Sequence, residues 1–115
     1  MIYLFVMEDK LESIFKMQAE LDNIVGFLKM DHQSKINNNF MALIHELCEI
    51  HDETNWKHWK KTKKEEDKAK ILEEFADIIH FIVQLALIYG FNPNDIYGAY
   101  LNKNMVNRER VANNY

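Results

Sequence analysis

Three glycines, one proline and one cysteine in 115 residues leave little material for tight turns, kinks or covalent cross-links. So few chain breakers exclude an architecture of many short strands, and 48% apolar residues exclude a disordered chain. Cys48 has no second cysteine for a disulfide and no CxxC neighbour for a metal. It lies inside a helical pattern, where the expectation is an ordinary small buried residue in a reducing compartment, the cytoplasm. Long hydrophobic runs are missing too. The apolar stretch from Phe75 to Tyr89 is interrupted by Asp77, His80 and Gln84, which is too short and too polar for a membrane span. The opening MIYLFVMEDK lacks a basic leader and a small-residue cleavage site, so no signal peptide is read there. Positive charge is in deficit, 14 Lys and Arg against 18 Asp and Glu, which argues against a nucleic-acid surface. The expectation is one soluble domain over 1–115 with no membrane or nucleic-acid partner.

What the chain has in quantity is helical periodicity. Between about Glu8 and Met30, Leu11, Ile14, Phe15, Leu21, Val25 and Leu28 recur at intervals of three and four, the stripe of one amphipathic helix. Gln18 interrupts that stripe, with Asp22 one turn on. The pair is either a polar contact in the core, a solvated flank, or a hydrogen-bonding edge of a pocket. Residues Ile2 to Met7 have strand-like composition but can equally begin this helix. Asp31 to Asn39 is polar and reads as a connection. A second helix follows over Asn39–Trp59 with Phe40, Leu43, Ile44, Leu47 and Ile50 inward. The run from Lys57 to Lys68 reads as a charged link, and Thr62 with Glu65 suggests a capping box that starts a third helix near Lys63. That helix runs to Gly90, a residue suited to ending helices. Asn92, Pro93 and Asp95 then form the start signal of a fourth. The fold class is all-α, a compact helical bundle of about four helices.

Two acidic pairs carry the chemistry. Glu46 and Glu49 share one face of the second helix, and Glu74 and Asp77 share one face of the third. If a short link folds the two helices antiparallel, the pairs face each other and gather four hard oxygen donors. Such a set repels itself and suits Mg²⁺, or Mn²⁺ as a substitute, better than zinc, for which no thiolate or histidine cluster is present. A di-iron bundle wants Glu-x-x-His on two helices; Asp77 and His80 offer only one loose approximation. Glu53 lies on the same line as Glu46, Glu49 and Trp56 and is a candidate third carboxylate or supporting group. Lys103, Asn107 and Arg110 fall on one face of the fourth helix, as a phosphate grip or as ordinary solvated residues.

The pair Glu46-Leu-Cys-Glu49 and Glu74-Phe-Ala-Asp77 resembles the ExxE…ExxD signature of the all-α nucleoside triphosphate pyrophosphatases, the MazG-like superfamily. MQAELD around Gln18, NWKHW, EEFADIIHFIVQLA and YLNKNMVNRER are similar to the dimeric dUTPase branch of it. The resemblance covers roughly Leu11 to Arg110. It implies a magnesium-dependent hydrolase that converts dUTP, with dUDP as a second candidate substrate, to the monophosphate, releasing pyrophosphate from dUTP. It also implies Glu46, Glu49, Glu74 and Asp77 as metal ligands, with Glu49, then Glu46, as the carboxylate that activates water. By the same resemblance Lys103, Asn107 and Arg110 grip the phosphates. Gln18 and Asp22, with Trp56, His80 and Phe81, belong to the base and sugar pocket, and a homodimer or higher homo-oligomer is the expected assembly. The chain departs from the branch by carrying only the charged link where many members have a further helical region. Its ERVANNY tail also lacks the usual glutamine and glycine. Two alternatives stand beside this reading: a broader house-cleaning pyrophosphatase acting on dCTP or damaged nucleotides, and a non-enzymatic helical interaction protein.

Overall fold

The computed structural model describes residues 9–26 and 29–114. Its elements are four helices, α1 (Lys10–Ile24), α2 (His32–Asp52), α3 (Lys68–Ile88) and α4 (Pro93–Ala112), and no strand occurs among the described residues. Each helix starts where a short polar side chain can satisfy amides that the first turn leaves unpaired. Asp9 accepts from the Leu11 and Glu12 amides, Asp31 from Ser34, Asp67 from Lys70, and Asn92 from Asp95. At α4 the Asp95 side chain returns the contact to the Asn92 amide, which completes a capping box with Pro93 in the first turn. Gly90 follows α3 at φ +77°, a left-handed conformation that a side chain would strain.

Four boundaries differ from those read along the chain. α1 ends at Ile24 rather than near Met30, because the chain turns through Gly26 at φ +71°. Leu28 of the expected stripe, and Ile2 to Met7, lie outside the described residues. The polar run Asp31 to Asn39 is helical rather than a connection: Asp31 caps α2 and also accepts from the Ser34 hydroxyl at 2.7 Å. α2 then stops at Asp52, well before Trp59. The Thr62 to Glu65 capping box does not form, and α3 starts at Lys68 behind Asp67. Between α2 and α3 the chain is tied into a loop by Asn55, which donates to the Lys64 carbonyl at 2.8 Å and accepts from its amide at 3.0 Å. The Lys64 ammonium reaches the Asp52 carbonyl at 2.6 Å. These ties hold a loop whose apolar packing comes from Trp56 and Trp59 alone.

That loop returns α3 antiparallel to α2, as the pairings show. Asn39 meets Gln84 near one end, Glu46 meets Glu74 and Asp77 in the middle, and Glu53 pairs with Lys70 at 2.9 Å near the other. α1 lies against α3, and their shared centre is Phe15, Val83 and Ala86, flanked by Leu11, Ile14, Leu87 and Ile96. Ile96 comes from α4, whose remaining length is largely exposed. No helix of the described residues is long and apolar enough to cross a membrane.

The centre so formed is small, and α3 is covered on one side only. Ile78, Val83 and Ala86 are buried, whereas Leu72, Phe75, Ile79 and Ile82, spaced by three, four and three, are open to solvent. Phe40, Ile44 and Leu47 form the matching open line on α2. Cys48, expected inside, is exposed, because α2 turns only one flank toward α3.

Candidate active site

Antiparallel packing of α2 on α3 brings three of the four expected carboxylates together. Glu46, Glu74 and Asp77 each place an oxygen within 4.8 Å of the others, the first two partly buried and the third exposed. Two carboxylates have only acceptors to offer one another. Glu46 Oε2 and Glu74 Oε2 are accordingly buried without a hydrogen-bond partner among the charged forms. A proton on Glu46 donated to Glu74 is the main cause that raises the Glu46 carboxyl from 4.5 to about 7. Burial and repulsion from Glu49, Glu74 and Asp77 add to it. A group of hard oxygen donors that holds a proton against its ordinary tendency, with two orphaned oxygens, fits a divalent cation such as Mg²⁺. Glu49 does not join this group; it stands one turn along α2, exposed, and acts on Glu46 through its charge. Glu53 is engaged with Lys70 and caps the end of α2, away from the three.

Beside the carboxylates lies a cavity of about 370 Å³ lined by Gln18, Leu21, Asp22, Val25, Glu46, Asp77, His80, Phe81 and Gln84. It is large enough for a small planar ligand and has carboxylates at one side and amides at the other. Spacing along α1 places Gln18 and Asp22 on one face, and both are buried. The Gln18 amide donates to Asp22 Oδ1 at 2.8 Å. Of the three roles open to this pair in the sequence, it takes two, a polar contact in the interior and a wall of a cavity. His80 lines the same space and is itself held by the Ala76 carbonyl at 2.8 Å from Nδ1.

Other expected site residues are elsewhere. Trp56 follows α2 in the tied loop, stacked on His51 with ring centres 4.9 Å apart and edge-on to Trp59. It lines a separate cavity of about 270 Å³ with Asn55, Lys57, Lys60, Lys63 and Lys64, and does not reach Gln18. Lys103, Asn107 and Arg110 ride on the far part of α4, which packs on α1, and they do not line the carboxylate cavity. Sequence reasoning missed Asn39 and Gln84. Asn39 is 2% exposed and donates to Gln84 Oε1, and Gln84 Nε2 donates to Asp22 Oδ1 at 2.6 Å. Gln84 was visible as a polar break in the apolar run of α3, whereas Asn39 carried no signal beyond two asparagine neighbours.

A family model described as dUTPase matches residues 10–90, well over half of the chain, and its span includes both acidic pairs and the Gln18 cavity but stops before α4. No curated protein and no solved structure matches the chain.

Proposed function

The chain belongs to the dUTPase family, and from that premise we propose that it is a magnesium-dependent nucleoside triphosphate diphosphohydrolase acting on dUTP. The observation that carries the reading is the juxtaposition of Glu46, Glu74 and Asp77 with the amide-walled cavity of Gln18 and Asp22. A base seated against the amides places its phosphates on the side of the carboxylates. Glu46, Glu74 and Asp77 would hold the cation. When bound, Mg²⁺ screens phosphate charge, polarises the phosphorus centre and favours a hydroxide nucleophile.

The residues of the chain do the rest. Glu49, one helical turn from Glu46 and outside the cluster, is free to take a proton from water at the edge of the site, which is the role we assign it. Gln18 faces the base, and His80 and Phe81 pack beside the sugar, where a 2′-hydroxyl would be crowded or left without a partner. A grip on the phosphates by Lys103, Asn107 and Arg110 requires the assembled protein, since within one chain α4 packs on α1. The open lines Phe40, Ile44, Leu47 and Leu72, Phe75, Ile79, Ile82 support a homodimer in which these faces cover each other. The working compartment we assign is the cytoplasm.

The test is to incubate the purified protein with Mg²⁺ and single nucleotides, measuring monophosphate and pyrophosphate. Preferential release of dUMP and pyrophosphate from dUTP is the expected result, with dUDP tested alongside. Broad turnover, or preference for dCTP, would replace the uracil reading by a house-cleaning one. No turnover by the folded, magnesium-supplied protein would remove the enzyme reading.

A further inference from the structure

The loop between α2 and α3 encloses a second cavity, of about 270 Å³, that shares no lining residue with the one beside the carboxylates. Lys57, Lys60, Lys63 and Lys64 all line it, against one carboxylate, Asp52, whose Oδ1 accepts from the Trp56 indole at 3.2 Å. None of the four lysines forms an ion pair with a described residue, although Glu65, Glu66 and Asp67 follow directly in the chain. Four ammonium groups round one space repel one another, so the fold has to hold them there. Asn55 clasps the amide and carbonyl of Lys64, and the Lys64 ammonium is fixed on the Asp52 carbonyl at 2.6 Å. Lys57 Nζ stands 5.5 Å from the centre of the Trp56 ring. The Lys60 ammonium has no partner among the described residues, and that of Lys63 reaches only the Lys57 carbonyl, at 3.5 Å. Concentrated positive charge with two ammonium groups to spare is what a compact, multiply charged anion requires.

The place of this cavity in the fold narrows the choice of anion. Along α3 the amide-walled cavity lies at His80 and Gln84, the carboxylates at Glu74 and Asp77, and the loop before Lys68. On α2, Asp52 stands six residues beyond Glu46, about 9 Å along the axis. A phosphate chain that leaves the amide-walled cavity and crosses the carboxylates is therefore headed for the lysines. Their cavity, at about 270 Å³, is smaller than the roughly 300–1,000 Å³ that takes a drug-sized ligand, which suits a pair of phosphate groups rather than a whole nucleotide. We propose that the loop between α2 and α3 is a phosphoanhydride site in which Lys60 and Lys63 bind pyrophosphate, either as the distal phosphates of a bound triphosphate or as the free anion. The site itself stands on the loop, and its part in the reaction rests on the dUTP reading above.

Both tryptophans of the protein, Trp56 and Trp59, lie in this loop, so intrinsic tryptophan fluorescence reports on it locally. The experiment titrates the purified protein with inorganic pyrophosphate in chelator, where the carboxylates hold no cation and repel the anion. A saturable change is expected in the wild type. The apparent Kd should rise roughly tenfold in K60A/K63A and stay unchanged in K16A/K29A, which removes the same charge from exposed positions elsewhere. Circular dichroism checks that all three proteins are equally folded. No saturable change in the wild type, an equal response of K60A/K63A, or an equal response to sulfate at matched ionic strength would overturn the site. Steady-state kinetics with Mg²⁺ then separate the two sources. If the lysines hold the distal phosphates, K60A/K63A raises KM for dUTP several-fold and leaves inhibition by dUMP, which lacks those phosphates, as in the wild type. If they hold the free anion, KM is unchanged and inhibition by added pyrophosphate weakens. Neither change would overturn the part of the site in the reaction. Pyrophosphate binding by a protein that turns over no nucleotide would remove the enzymatic reading and uphold the site, and turnover without pyrophosphate binding would do the reverse.

Discussion

Replacing Glu46 by glutamine tests the electrostatics of the carboxylate cluster directly. In the folded, metal-free protein the Glu46 carboxyl is raised from 4.5 to about 7, first because its proton bonds Glu74 and then because burial and neighbouring carboxylates oppose the charge. The neutral form is the one that suits the fold. Below about pH 4.5 the group is protonated in folded and unfolded chains alike and contributes no difference. Between about 4.5 and 7 the unfolded chain ionises while the folded chain keeps its proton, so the folded state loses stability as pH rises. Above about 7 the loss is complete. The displacement corresponds to at most about 3 kcal/mol. Glu46 is partly open to water, and screening reduces the figure to about 1–2 kcal/mol. The E46Q side chain would keep the shape, supply an N–H to Glu74 and have no charge to lose. Thermal unfolding in chelator should therefore show E46Q and wild type alike at pH 4, with E46Q higher by about 4–10 °C at pH 8. Millimolar Mg²⁺ at pH 8 should raise the wild type and raise E46Q much less. A wild-type Tm that keeps pace with that of E46Q from pH 5 to 8 would refute the argument.

Further outcomes follow from the same geometry. Glu49→Gln should abolish nucleotide turnover while circular dichroism and Tm stay close to wild type, since Glu49 is exposed; retained turnover would sink its assignment. Ile79→Asp, in the middle of the open line on α3, should convert a dimer to monomer in light scattering at equal concentration, and a wild type that is already monomeric would remove the proposed interface. Asp67→Ala removes the cap of α3 and should cost about 1 kcal/mol in chemical unfolding, with no change in KM. Lys103→Ala should raise KM for a triphosphate several-fold with little effect on Tm, measured at constant ionic strength.

The acidic pairs show how far local spacing reaches. Glu46 and Glu49 share a helical face in any helix, as do Glu74 and Asp77, and that was legible. Which three of the four converge was not, because it depends on the height at which α3 passes α2. That height is set by the Asn39 to Gln84 contact at one end, by the Glu53 to Lys70 pair at the other, and by the tied loop between the helices. In this register Glu46 lies opposite Glu74 and Asp77, while Glu49, one turn on, points past them.

Helix starts were readable where a cap coincides with an apolar pattern, as at Asn92, Pro93 and Asp95, and misread where it does not. The first turns of α2 hold Ser34, Asn37, Asn38 and Asn39, residues of modest helix propensity with little apolar periodicity, so they looked like a connection. They are helical because Asp31 caps them and because Asn39 finds a buried partner on α3. The Thr62 to Glu65 pattern had the form of a capping box, but Lys64 is held through its amide and its carbonyl to Asn55, and the helix starts at Lys68 behind the Asp67 cap.

By itself, then, the sequence determined four helices, the cap of the fourth, the two acidic faces and the Gln18 to Asp22 pair, because each of these depends on residues within about one turn of one another. Tertiary structure alone decided that Asn39 is buried, that Gln84 joins α2 to α1, that Trp56 and the α4 cations lie away from the carboxylates, and that half of α3 remains uncovered. Those outcomes rest on contacts between residues 45 and 62 positions apart, as in Asn39 with Gln84 and Asp22 with Gln84. The free energy of such contacts comes into being only when whole helices pack, so no local window of the chain contains it.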